Sequence, residues 1–340
     1  MSADKKPSPT IYDVAELSGL SIATVSRVLN FPERVSEKSR RKVMKAIDQL
    51  GFIPKAEARA RALESTGRIG VITPFFTSPS FIDRLRGVAS ALANSKYELI
   101  IYTVDSSDRL DGYLSSLPIT GNLDGLIVMS LPVDAAAAQR LLTNQLETVF
   151  IETFNPNFSA VLVDDKRGGE LAAHHLIEKG HRHCALVYLG EHPKHSIHPE
   201  VQRLAGFREV LSEYGLSLPD DYIKYVPVSR KGIQETLHEL FELPKPPTAI
   251  FAPADDLAIR LIHEARKMGV DVPHDLSVIG FDDIEIAEHI DLTTINQPLF
   301  ESGKTAVELL LGRLTNTNRP IQHIQLQVHL EERGTTRTLA

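Results

Sequence analysis

Nine short runs of Val, Ile and Leu between residues 69 and 283 constrain this 340-residue chain more than any other feature. IGVITPFF, YELIIYTVD, DGLIVMSL, TVFIE and SAVLVD come first; CALVYLG, IKYVPV, TAIFAPAD and LSVIGFDD follow, with amphipathic stretches between. Near-continuous apolar runs mark strands covered on both faces, the condition of a parallel α/β sheet. Nine strands exceed one comfortable six-stranded sheet, so the expected body is two similar α/β lobes. TTINQP and the late run HIQLQVHLEE supply further crossings between them.

The front of the chain follows a different rule. Thr10 to Asn30 read TIYDVAELSGLSIATVSRVLN, two short helices joined by a tight turn. Thr10 and Asp13 form a capping-box start, a hydroxyl for the orphan amides with an acid three residues on. Ala15 is small enough for a close helix crossing, Gly19 supplies a φ > 0 turn, and Val25 and Val28 face inward. Ser21 caps the second helix, leaving Ile22, Ala23, Ser26, Arg27 and Asn30 for its start and outer face. An Arg there reaches O6 and N7 of a guanine in the major groove, and Ile22 and Ala23 meet thymine methyls. Thr24, Ser26, Asn30 and Arg34 position the DNA backbone. The expectation is a DNA reader; the competing one is an ordinary helical hairpin on a surface.

Ser36 opens a third helix with Val43, Ile47 and Leu50 on one face and Gly51 to stop it. Arg40, Arg41, Lys42 and Lys45 spread around it, as a solvated face or as phosphate contacts. Pro54 follows, then KAEARARALES, rich in Ala and Arg and too short to be a stable helix alone in water. Three segments result: a helical headpiece at 1–53, a linker at 54–67, and the two-lobed body at 68–340. Residues 1–61 hold 12 Lys and Arg against 7 Asp and Glu, whereas the rest holds 25 against 37. A basic end that seeks phosphate is thus joined to an acidic body that phosphate repels. A uniformly acidic enzyme does not show that split.

The single cysteine, Cys184, excludes an intrachain disulfide and suits a reducing cytoplasm. No run approaches the roughly 18 apolar residues of a membrane span, and MSADKKPSPT has no apolar core of a secretory signal. In open α/β sheets ligands lie beyond the carboxyl ends of the strands. Those ends carry Phe75, Phe76, Asp105, Glu152, Asp165, Asp255, Asp256, Asp282 and Asp283. Carboxylates accept pairs of hydroxyl hydrogen bonds and aromatic faces cover a pyranose, so the set suits a polyol. Each acid is equally well read as a cap on the following helix.

With these residues in view, the chain resembles the LacI/GalR family of bacterial transcriptional regulators over nearly its whole length. TVSRVLN is similar to the family's recognition helix, and HHLIEKGHRH, RLAGFREVL, FAPADDLAI, LSVIGFDDIE and LEERGTTR stand in family order. The resemblance implies a small all-α helix-turn-helix headpiece on a two-lobed body like that of periplasmic binding proteins. It implies a cytoplasmic homodimer bound to near-palindromic double-stranded operator DNA, controlled by a small effector, usually a sugar of one or more units. It matches Arg203 to the effector-binding arginine and Asp282 to the ligand aspartate. Asp255 stands where the family usually has Asn, and Glu152 where some members have a ligand aspartate; Phe75 completes the expected effector set. In the linker, family members show Pro-Asn-Ala-x-Ala-Arg-x-Leu, whose Leu wedges into the minor groove. A gapless match puts Lys55 at the Asn and Arg61 at the Leu; a two-residue shift matches Ala60 to Leu63 instead. Arg59, Arg61 and Leu63 are the linker's expected DNA contacts, together with Thr10 and Ser21 of the headpiece.

Other signals are weaker. His174, His175, His181 and His183 are rich enough for a metal, but the first two are adjacent and cannot both face one ion from a helix. His192, His195 and His198 lie in a proline-flanked stretch and read either as neighbours of the effector cleft or as a weak zinc clamp. Cys184 begins a strand as a small core residue. GKT at 303–305 lacks the glycine a P-loop needs, where Pro298 stands, and DKRGG is too short a phosphate signal. No cofactor, metal or catalytic residue is expected. A periplasmic sugar-binding protein shares the body but not the basic headpiece, and a glycosidase needs an acid/base pair that the scattered acids do not form. No long leucine heptad follows Arg333, which favours a dimer over a tetramer.

Overall fold

The computed structural model describes residues 9–30, 35–50, 52, 65–190, 195–227 and 229–339. It divides into two compact units, one of residues 1–68 with 121–124, the other of 69–120 with 125–340.

In the first unit, α1 (Ile11–Ser18), α2 (Ile22–Asn30) and α3 (Glu37–Leu50) enclose one core. Val14, Ala15, Val25, Val28, Val43 and Ala46 are its buried members, the inner positions that the 3.6-residue period assigns. Thr10 donates both its backbone N–H and its hydroxyl to Asp13 Oδ2, at 2.6 and 2.7 Å. Gly19 sits at φ +66° and lets the Leu20 N–H return to the Ala15 carbonyl at 3.2 Å, closing α1. Ser21 Oγ accepts from the Thr24 N–H at 3.2 Å, capping α2 as expected. Asp124 binds the segment that precedes the body. Its carboxylate takes the Ser65 hydroxyl, the Thr66 N–H and hydroxyl (2.6 and 2.9 Å) and the Gly67 N–H (2.9 Å). Although burial works against ionisation, these donors hold its pKa below the ordinary carboxylate value.

The second unit contains two six-stranded sheets. The first lobe runs β1 (Arg68–Pro74), α4 (Pro79–Leu92), β2 (Glu98–Val104), α5 (Ser107–Thr120), β3 (Gly125–Met129), α6 (Ala135–Thr143), β4 (Glu147–Ile151) and β5 (Ser159–Val163). The chain then enters the second lobe: α7 (Asp165–Glu178), β6 (Cys184–Leu189), α8 (Pro199–Glu213), β7 (Ile223–Val226), α9 (Arg230–Phe241), β8 (Ala249–Phe251), α10 (Asp255–Lys267), β9 (Ser277–Asp282), α11 (Glu285–His289) and β10 (Thr294–Asn296). It returns to the first lobe as α12 (Leu299–Thr315) and β11 (His323–Leu326), and ends in the second with β12 (His329–Glu331). Strand orders are β11-β5-β4-β3-β1-β2 and β12-β10-β9-β8-β6-β7. TTINQP and HIQLQVHLEE are the expected crossing segments. One departure from an all-parallel body is β12, which pairs antiparallel with β10 because the chain enters it directly from the other lobe.

Among the described residues, each lobe has a helix pair in backbone contact through glycines. In the first, Gly87 of α4 and Gly303 of α12 face each other; in the second, Gly169 of α7 and Gly206 of α8 do. A Cβ at any of the four would stand 1.9–2.0 Å from a carbonyl oxygen of the facing helix.

Two of the histidines considered above, His175 and His181, fasten the C-terminal segment. His181 is fully buried; its Nε2–H donates to the Arg337 carbonyl at 3.1 Å, so its Nδ1 accepts from the Thr248 hydroxyl at 2.8 Å. His175 Nε2 pairs with Thr336 Oγ1 at 2.8 Å. Burial lowers the His181 pKa to about 4, and lowers that of His175. The unfolded chain therefore binds protons that the folded one refuses: stability is full above the ordinary His value of 6.5 and falls as pH drops toward 4. Between pH 7.5 and pH 5, His181 alone is expected to remove about 2 kcal/mol. Urea titrations of the parent and His181→Gln at both pH values test this, since the difference between the two proteins should shrink by that amount at pH 5. An equal difference at both would refute the buried neutral state. Cys184, also buried, has its thiol pushed up to about 12 and is a core residue, as expected.

Candidate functional site

On α2, Ile22 is 43% exposed, and Ala23 and Arg27 are exposed beside the buried Val25 and Val28. Thr24 and Ser26 are half-buried, and Thr10 and Ser21 are exposed at the helix starts. The three outward residues thus form one surface, the one expected to read bases. Tyr12, 67% exposed on α1, adds an aromatic that sequence reasoning passed over. Arg34, Arg59, Arg61 and Leu63, and the side chain of Asn30, lie outside the described residues.

In the body, the carboxyl ends of β1, β3, β4, β6, β8 and β9 open on one cavity of about 470 Å³ bounded by both lobes. Phe75, Ser130, Glu152 and Asp282 line it, and all four have positive φ: +43°, +54°, +64° and +119°. Non-glycine residues held there carry strain, and such strain gathers at ligand sites. The lobes also touch directly: Arg86 of α4 meets Glu285 of α11 at 2.9 Å, and the Ile197 N–H reaches the Ser130 carbonyl at 3.3 Å.

The cavity floor is a chain of buried polar groups. Arg84 of α4, only 2% exposed, pairs with Glu152, whose second oxygen takes the Ser130 hydroxyl. Arg84 also donates to Gln297 Oε1 at 3.0 Å, and the Gln297 amide donates to Asp282 Oδ1. Gln297, between β10 and α12, therefore holds one residue of each lobe. On the far side, Arg203 of α8 lies 3.5 Å over the Phe281 ring. It donates to Asp165 Oδ1 at 2.8 Å and to the Pro253 carbonyl at 2.7 Å. Burial raises the pKa of Asp282 to about 6, opposed by Arg203 and Gln297; burial likewise raises Asp165, again against Arg203. Burial alone would lower Arg203, but Asp165 and Asp282 hold it above its ordinary value.

Phe75, Glu152 and Asp282 thus come together on one cavity, as the strand-end rule anticipates, and Arg203 of α8, which the resemblance pointed to, lines it as well. Asp255 does not join them. It is fully buried behind the wall, where Oδ1 accepts from the Thr294 hydroxyl at 2.6 Å and Oδ2 from the Ile284 N–H at 3.0 Å. Its neighbour Asp256 faces the cavity instead, because one step along α10 turns a side chain by about 100°. Burial, with Asp282 nearby, raises the Asp255 pKa well above the ordinary value. Glu152 is on the wall, but both of its oxygens are taken within its own lobe. Asp283 pairs with Arg333 at 2.7 Å, and the exposed Asp105 pairs with Arg109 one turn along α5. Arg84, Ser130 and Gln297 were not anticipated. Arg84 had a signal: it lies on the helix face of Phe81 and Val88, three residues before and four after, which is the buried face.

Comparison with known proteins agrees with both halves of this picture. Residues 10–55 match the family described as bacterial regulatory proteins, lacI family, and residues 173–336 match a periplasmic binding protein-like domain. Catabolite control protein A of Priestia megaterium is 31% identical, the match covering 96% of this chain and 99% of that one. A LacI family transcriptional regulator from Enterococcus faecium, solved with bound ribose, is 33% identical, covers 80% of this chain and 100% of its own, and superposes with a TM-score of 0.69. The lac repressor dimer bound to operator and the anti-inducer ONPF is 27% identical over 98% of this chain and 100% of that one, with a TM-score of 0.77. With a shared headpiece, body and length, the chain belongs to the LacI family of bacterial regulatory proteins.

Proposed function

We propose that this protein is a transcriptional repressor of carbohydrate-use genes. A homodimer in the bacterial cytoplasm binds a near-palindromic operator through α1–α3, and a sugar in the body cavity sets its DNA affinity. Residues 1–53 read DNA, 54–67 link, and 68–340 bind effector and partner. One observation carries the sugar reading. Among the described residues, the second terminal nitrogen of Arg203 and the second carboxylate oxygen of Asp282 have no protein hydrogen bond, and both residues line the cavity. A donor beside an acceptor at buried positions takes the neighbouring hydroxyls of a sugar, and the exposed Phe75 ring lines the same cavity. Ribose in the Enterococcus relative supports the same class. Control operates by linkage: the sugar prefers one arrangement of the lobes, typically by about 1–3 kcal/mol of coupling.

The deciding experiment is selection of bound duplexes from random DNA, with and without a panel of sugars. A palindromic site whose occupancy one sugar changes is expected; sequence-blind, sugar-insensitive binding would refute the reading. On the selected site Arg27→Ala should lose about 1–3 kcal/mol and discriminate less at one base pair. Equal loss on scrambled DNA would make Arg27 a phosphate contact.

A further inference from the structure

The cavity is larger than its charged floor requires. A pyranose has a dozen heavy atoms and, at roughly half a water's 30 Å³ per atom, occupies about 180 Å³. Seated on Arg203, Asp282 and Gln297, it would leave more than half of the 470 Å³ to water. The remaining space is not featureless. At the mouth, Asp256 and Arg260 of α10 form a two-point ion pair, at 3.0 and 3.3 Å, with side chains 42% and 47% exposed. Phe75, also in the lining, is 43% exposed at a strained φ of +43°, with the half-buried Ile197 lining the same cavity.

We infer that the effector is a disaccharide whose inner ring occupies the floor and whose outer ring is bound at this mouth by Phe75, Asp256 and Arg260. Two rings fill about 350 Å³, leaving room for a few bridging waters. The outer hydroxyls accept from Arg260 and donate to Asp256, which are already oriented by each other. The exposed pair itself contributes little to stability, so the fold does not require it.

The inference rests on the sugar reading, and the test separates the two. Calorimetric titration of the full-length protein uses glucose, xylose, galactose and ribose, then cellobiose, xylobiose, lactose and maltose, with cytidine and adenosine beside them. One disaccharide is expected to bind at least tenfold more tightly than either of its own monosaccharides. Arg260→Ala, and independently Asp256→Asn, should bring that ratio close to one, whereas Arg203→Lys weakens sugars of both lengths. A monosaccharide or a nucleoside that binds as tightly as any disaccharide overturns the inference, as does a ratio that survives both mouth substitutions. If no sugar of either length binds, the sugar reading falls and takes this one with it.

Discussion

Gly169→Ala is expected to destabilise the body by about 4 kcal/mol or more, the range in which single substitutions are disruptive. A Cβ added there stands 1.9 Å from the Arg203 carbonyl oxygen and 2.7 Å from its carbon. Overpacking against a flexible side chain typically costs about 1–3 kcal/mol, because the side chain moves aside. Here the obstacle is helix backbone. α7 and α8 must separate, and every contact along the pair loosens with them. The damage reaches the site, since Arg203 is the residue struck and Asp165, its partner at 2.8 Å, begins the helix that is pushed away. Effector binding should therefore fail even where the protein still folds. Gly112→Ala is the control: that glycine is exposed in α5 with nothing within 4 Å of an added Cβ, so the same change should stabilise by about 1 kcal/mol. In thermal melts, a loss of about 8–16 °C is expected for Gly169→Ala and a small gain for Gly112→Ala. If Gly169→Ala melts within a few degrees of the parent, the helices part cheaply and the close approach has no structural weight.

Legibility in the sequence followed the range of the forces involved. The headpiece was readable because its determinants are local: a serine cap three residues from the amide it accepts, a glycine at φ +66°, and valines at helical spacing. The strands were readable because parallel sheets bury both faces and erase the polar alternation. Asp282, Glu152 and Phe75 were placed near the cavity by topology, since strand ends converge there, whereas Arg203, inside helix α8, was reached only through the family resemblance. Pairing across the fold was not readable. Glu152 lines the cavity, but its ion pair could not be foreseen: Arg84 lies 68 residues away, on a helix whose buried face is otherwise apolar. Choosing between Asp255 and Asp256 required the rotational phase of α10 to within one residue, and helix starts are where sequence patterns are least precise. Gln297 belongs to a crossing segment, and its role exists only once both lobes are present. The antiparallel β12 has the same origin, in where the chain comes from rather than in its own residues.

Arg84→Met should cost about 3–5 kcal/mol, and the way that loss is recovered identifies its cause. Met retains most of the buried volume, so packing changes little. What changes is electrostatic: Glu152, its side chain 4% exposed, loses its counter-charge and keeps only the Ser130 hydroxyl. An uncompensated buried charge is penalised heavily because water no longer solvates it. Glu152→Gln alone commits the opposite error, leaving the guanidinium buried with the Gln297 carbonyl oxygen as its remaining strong acceptor at 3.0 Å. Combined, the two substitutions remove both charges and keep an amide that can accept from Ser130. The double variant should therefore be more stable than either single one, with a coupling of about 2–3 kcal/mol measured by urea unfolding. Simple additivity would mean that the pair does not act as a pair. Stability and function should then separate. The double variant regains its fold but not its effector affinity, because Gln297 no longer has Arg84 to orient the amide that holds Asp282. A double variant that recovers both would show that the floor needs only neutrality there. One that recovers stability alone would show that Arg84 is retained for the geometry it imposes across the two lobes.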